Sequence, residues 1–154
     1  MKKMAESRSK SRSEIIEGLM KKVNNQLDAL ITIDMHFLDF KAFDFEIKVG
    51  VWNALPDEVA KDVRTMGIVN TIEKVLILTT YGAGSYIAPH FHSDAYECIK
   101  VLYGYFEDKT TGKQLYKDDE VVFPPNQKHY ITSDTGGVLL ICFAKDYKNL
   151  NFIY

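Results

Sequence analysis

Histidine is scarce in this chain, 4 residues in 154, and cysteine is scarcer still, with only Cys98 and Cys142. Two cysteines cannot form a multi-bridge disulfide scaffold, and their spacing matches no cysteine-based metal site; they suit a reduced, cytoplasmic protein. Charge of one sign is also missing. Nineteen basic residues against 21 acidic ones leave a net charge of −2, so no general electrostatic pull draws the protein to nucleic acid or anionic lipid. Long apolar runs are absent too. The longest, Val75 to Leu78 and Val138 to Ala144, have the length of strands and fall far short of the ~20 residues a membrane span needs. The basic, serine-rich start, MKKMAESRSKSRS, is not followed by an apolar segment of signal-peptide type, which argues against export. What remains is the composition of one folded domain, 46% apolar and 12% aromatic.

Residues 1–13 read as a disordered basic tail. Lys2, Lys3, Arg8, Lys10 and Arg12 lie there without aromatic partners, so they do not make a nucleic-acid site. Ser11 or Ser13 can cap a helix. In it Ile16, Met20, Val23, Leu27 and Leu30 recur at gaps of four and three, forming one apolar stripe. That stripe can pack on the protein's own sheet or on a second copy in a homodimer. His36, near the helix end, reads as structural. From Phe43 to Val51 the period changes to two, which predicts a strand. The following LPDEVAKDVRTMG reads as a short second helix, with Pro56 in its first turn, Val59, Val63 and Met66 on one side, and Gly67 as its stop. Residues 14–70 are thus expected to pack as helix, strand and short helix against a β domain covering 71–154.

In that β domain, short strands are expected at Thr71 to Tyr81, Ser85 to His92, Tyr96 to Phe106, Lys113 to Tyr116, Glu120 to Phe123, Lys128 to Thr132 and Gly137 to Ala144, with a further one over Leu150 to Tyr154. Glycines and the Pro124-Pro125 pair punctuate them. Many short, regularly spaced strands make a sandwich or a barrel. No internal repeat occurs.

The few histidines are not scattered. Residues two apart on a strand face the same way, so His90 and His92 point together while Phe91 points elsewhere. A turn at Ser93 to Ala95 returns the chain, bringing the Glu97 carboxylate toward the imidazole pair. His129, just past the double proline, supplies a third imidazole. Such a set suits a divalent first-row metal: iron, manganese, nickel, cobalt or zinc. Strand parity also puts Tyr86 on the face of His90 and Tyr103 on the face of Glu97, making them candidate pocket residues with a catalytic hydroxyl. Cys98, next to Glu97, points away. His92, Ser93 and Asp94 are neighbours on a tight turn and cannot align as a hydrolytic triad.

The run GSYIAPHFHSDAYECIKVLYG, Gly84 to Gly104, resembles the first cupin motif, G(x)5HxH(x)3-4E(x)6G, at every spacing. DDEVVFPPNQKH, Asp118 to His129, resembles the second, G(x)5PxGxxH(x)3N. It keeps Pro124 and His129, with Asp118 in place of the first glycine, Asn126 in place of the turn glycine and Ser133 in place of the final asparagine. Asn is the best substitute for glycine in a left-handed turn. The segment from Tyr103 through the proline turn to TGGVLLICF is also similar to small single-domain cupins of the ChrR-like kind. The resemblance spans Thr71 to Lys145. It implies a jelly-roll barrel of the cupin type; with the N-terminal helix and the one short additional helix read above, a mainly β protein is expected. It implies further that His90, His92, Glu97 and His129 bind a metal, iron first among the candidates. The expected activity is on a small-molecule substrate, of dioxygenase type. Isomerase or lyase chemistry and a non-enzymatic metal-binding or sensor role are the alternatives.

Overall fold

The computed structural model describes residues 46–153. Within them the chain forms nine strands and a terminal 3-10 turn: β1 (Trp52–Ala54), β2 (Ala60–Asn70), β3 (Lys74–His90), β4 (Tyr96–Gly104), β5 (Phe106–Asp108), β6 (Lys113–Leu115), β7 (Glu120–Phe123), β8 (His129–Ser133), β9 (Gly137–Ala144), then Tyr147–Asn149. Every pairing between strands is antiparallel, in the order β6-β5-β8-β3-β9-β4-β7, with β2 on β3 and β1 on β2. The sheet curls into a nearly closed barrel.

β3 makes the curl. Its first half, Lys74 to Tyr81, pairs with β9, and its second half, from Ser85, pairs with β8. The two strands expected on either side of Gly82 and Gly84 are therefore one strand of 17 residues. The glycines do not end it; they let it change partners. Gly84 has φ +74°, a left-handed conformation that favours glycine, and a Cβ at Gly82 would lie 1.9 Å from the Asp62 carboxylate on β2.

The short helix expected over 55–67 is not formed. Pro56 does start a turn, its carbonyl accepting from the amides of Val59 and Ala60, but from Ala60 onward the chain is extended. β2 then pairs with β3 from Ala60–Ile87 to Asn70–Val75. Val63, Thr65 and Gly67 are its buried alternate positions. Only Val63 of these three is apolar with a side chain, so the period of two was hidden, while Val59, Val63 and Met66 imitated a helical stripe. Hydrogen bonding to a central strand then overrode local propensity. The strand expected over 43–51 is likewise absent from residues 46–51, which carry a single bridge, Val49 to Gly67. Phe43, Phe45, His36, the N-terminal helix and the basic tail lie outside the described residues. Tyr96 to Phe106 divides into β4 and β5. The strand expected from Leu150 is replaced by a bend that the Lys74 ammonium fastens, donating to Asn151 Oδ1 at 2.6 Å and to the Ile153 carbonyl.

The core is one cluster inside the barrel. On β9, Leu139, Ile141 and Phe143 face inward, and on β4, Ile99 and Val101 do. Along β4 from Glu97, Ile99 borders an interior cavity and Val101 does not. Beyond that point Val101, Phe106 and Leu115, each at most 1% exposed, fill the interior. Burying one such side chain contributes about 1.5–3 kcal/mol. Among the described residues no helix is long and apolar enough to cross a membrane.

Candidate metal centre

Four polar residues lie in the open half of the barrel, where polar groups are costly unless matched. His90 ends β3 and is the direct cross-strand partner of His129, which begins β8. His92 follows a two-residue step later, its carbonyl accepting from the Asn126 amide at 2.9 Å. Glu97 enters β4 opposite Phe123 of β7 and Phe143 of β9. The ligand atoms of His90, His92, Glu97 and His129 all lie within 4.8 Å of one another, and all four residues are buried. Sequence spacing thus predicted a convergence that the structure contains, and the group could hold a metal ion.

Aromatic walls fix the rings. Phe123 stacks on His129 with centroids 4.3 Å apart and planes at 16°, and Phe143 meets His92 edge-on at 5.0 Å. The hydrogen bonds decide which nitrogens face inward. His90 Nδ1 lies 2.7 Å from the Ala88 carbonyl and His129 Nδ1 lies 3.1 Å from the Gln127 carbonyl. A carbonyl only accepts, so each Nδ1 carries a proton and each Nε2 faces the interior. There His129 Nε2 is 2.8 Å from Glu97 Oε1, and His92 Nε2 is 3.3 Å from the same oxygen. Neither Glu97 Oε1 nor His129 Nε2 completes a well-formed hydrogen bond. A proton or a metal cation shared between the carboxylate and these nitrogens holds them at such a distance. Backbone-anchored imidazoles and a carboxylate are the donor set of a divalent metal, and the residues fit one.

The electrostatics agree. Burial by itself raises the Glu97 pKa, yet the adjoining imidazoles of His129 and His92 outweigh it and hold the carboxyl well below the usual carboxylate range. Burial, then His129 and His92, push His90 well below the ordinary histidine value. The cluster therefore favours an ionised carboxylate beside a neutral imidazole at His90, the forms that bind metal.

Both departures from glycine in the second motif occupy left-handed positions, expected for Asn126 and shared by Asp118. Asp118 has φ 73° and Asn126 has φ 71°, both left-handed. Ser133 donates to the Tyr105 carbonyl at 2.5 Å and accepts from the Gly136 amide at 2.9 Å, fastening the turn into β9. Cys98 is held away from the cluster, its thiol pushed up to about 12, chiefly by burial and then by Glu120.

A cavity of about 40 Å³ adjoins the four residues, room for about two or three waters. Its walls are almost wholly apolar, with Ile77, Ile87, Ile131, Leu139 and Ile141 prominent. Tyr86 and Tyr103 do not border it. The β3–β8 register shifts between Ile87 and His90, so Ile87 faces the cavity and Tyr86 turns to an edge-on contact with Tyr130 at 6.2 Å. The β4–β9 register shifts between Val101 and Tyr103, and Tyr103 is 70% exposed. Tyr81 lines the cavity instead. A period of two carried across a bulge gives the wrong face.

No known family profile matches the chain, and no curated protein matches it. Solved structures do. KdgF from Halomonas sp. aligns at 16% identity and TM-score 0.55, covering 69% of this chain and 100% of that one. An RmlC-like cupin from Shewanella frigidimarina aligns at 16% identity and TM-score 0.54, covering 70% and 96%. An acetylacetone dioxygenase from Acinetobacter johnsonii aligns at 15% identity and TM-score 0.53, covering 65% and 72%. The fold of this chain is the cupin barrel. The finer ChrR-like resemblance is not confirmed by these structures.

Proposed function

We propose that the protein is a metal-dependent cupin acting on a small molecule, with His90, His92, Glu97 and His129 as ligands and dioxygenase-type oxidation as its reaction. One observation carries this: three imidazoles and a carboxylate, all buried, point their acceptor atoms at one spot beside an apolar cavity. A divalent metal held there, iron before manganese, nickel, cobalt or zinc, would supply Lewis acidity to ionise an oxygen-donor substrate and, if redox-active, electrons for reaction with dioxygen. The chain's own part is distinct. His90 and His129 keep their Nε2 atoms inward through the Ala88 and Gln127 carbonyls. Phe123 and Phe143 hold the rings, and the isoleucine-rich wall excludes bulk water from the reacting molecule. The Acinetobacter johnsonii protein is an acetylacetone dioxygenase; a shared barrel is compatible with that activity and with many others. Both cysteines are free and buried, in keeping with a cytoplasmic protein.

A second reading, a metal or small-molecule binding module without turnover, is favoured by the shortage of further acid or base groups on the cavity wall. Isomerase or lyase chemistry would need such a group as well. Elemental analysis of freshly purified protein, then oxygen uptake by the iron-loaded form across diketones, catechols and thiols, separates the readings. Uptake with one class supports the oxygenase. Silence throughout, with metal bound, favours the binding module.

A further inference from the structure

The cavity contains a polar group that the reading above leaves unused. Apart from the four cluster residues, only Thr65 and Tyr81 among the lining residues are polar, and none is Lys or Arg. A ligand therefore finds no positive side chain in the cavity, and charge on it is met only at the metal. Phosphorylated or polyanionic molecules do not fit such a wall; a small molecule with an ionisable oxygen and an alkyl body does.

Tyr81 is 4% exposed, and its ring is held edge-on against Phe106 at 5.0 Å. Its hydroxyl reaches β8, where its protein partner is the carbonyl of Ile131, a residue that lines the same cavity, at 3.4 Å. That is well beyond the ~2.7–2.8 Å of a good O–H···O bond, so a buried phenol is left with a weak acceptor. Ile131 lies two residues from His129, and its side chain borders the same cavity. Burial foremost, then Glu97 and Tyr130, raises the Tyr81 pKa, which keeps the hydroxyl a donor.

We propose that Tyr81 orients the substrate: its hydroxyl donates a hydrogen bond to an oxygen of a small, mainly apolar oxygen-donor molecule bound at the four-residue cluster. This rests on the metal-centred reading, and the test separates the two. Acetohydroxamate, a small oxygen donor with one methyl group, serves as the probe. Wild type, Tyr81→Phe and, as a control on the exposed surface, Tyr116→Phe are loaded with cobalt, and the visible spectrum is followed during titration. All three should take up the same cobalt, while Tyr81→Phe binds the probe about ten- to a hundred-fold more weakly. Equal probe affinity in Tyr81→Phe overturns the inference and leaves the metal reading intact. Cobalt-loaded wild type that ignores the probe overturns it too. Wild type that takes up no metal sinks both, and this shows before any probe is added. A measurement on wild type alone covers the case of a poorly folded variant: in zinc-loaded protein, probe methyl protons should show nuclear Overhauser contacts to the Tyr81 ring. Their absence counts against the proposal.

Discussion

The two halves of the barrel share β4 and differ in what fills them. In one half Val101, Phe106 and Leu115 of β4, β5 and β6 fill the interior; in the other, β3, β4 and β8 bring together imidazoles, a carboxylate and a small cavity. β4 passes through both, carrying Glu97 and Ile99 to the open half and Val101 to the filled one. The filled half thus provides the rigidity that holds four polar groups buried and close together. Stability and function are separated along the barrel axis, and each half can be perturbed alone.

The largest effect is expected at the open half. His92→Ala should abolish stoichiometric metal binding, measured by elemental analysis, while the barrel stays folded by circular dichroism; unchanged metal content would refute the ligand assignment. Removing the metal from wild type with a chelator should lower Tm, since a ligand that binds only the folded state stabilises it. In the filled half, Phe106→Ala should cost about 3–5 kcal/mol in urea unfolding and leave metal stoichiometry at the wild-type value. A loss of metal there would show that the halves are not separable. Between them, Gly84→Ala should cost about 1–2 kcal/mol through its left-handed backbone. The smallest effect has the opposite sign. Asn126→Gly, beside His92, should stabilise by up to about 1 kcal/mol by easing its positive φ, read as a higher denaturation midpoint. A destabilised variant would mean that the Asn126 side chain does more than tolerate the turn.

Much of the site was legible because it is encoded in short spacings. His90 and His92 belong to one strand end, Glu97 follows a turn, and Asn126 and Asp118 occupy left-handed positions that their side chains tolerate. What failed was extrapolation along strands. Counting in twos places Tyr86 and Tyr103 on the inner face, and a register shift intervenes in each case. Tyr81 precedes His90 by nine residues and crosses the same irregularity, so no local pattern announced it. In sequence β2 imitates a helix because two of its inward positions, Thr65 and Gly67, carry no apolar signal.

By itself the sequence indicated a cupin-like barrel through its two motifs and singled out the four residues that converge, since His90, His92 and Glu97 are set by short spacings and His129 by its place in the second motif. Only the tertiary structure decided that β2 is a strand, that β3 is continuous through its glycines, and that Tyr81 rather than its fellow tyrosines borders the cavity. The reason is that bulges and pairing partners are set between strands distant in the chain, and a shift of one residue there turns a side chain from the interior to the solvent.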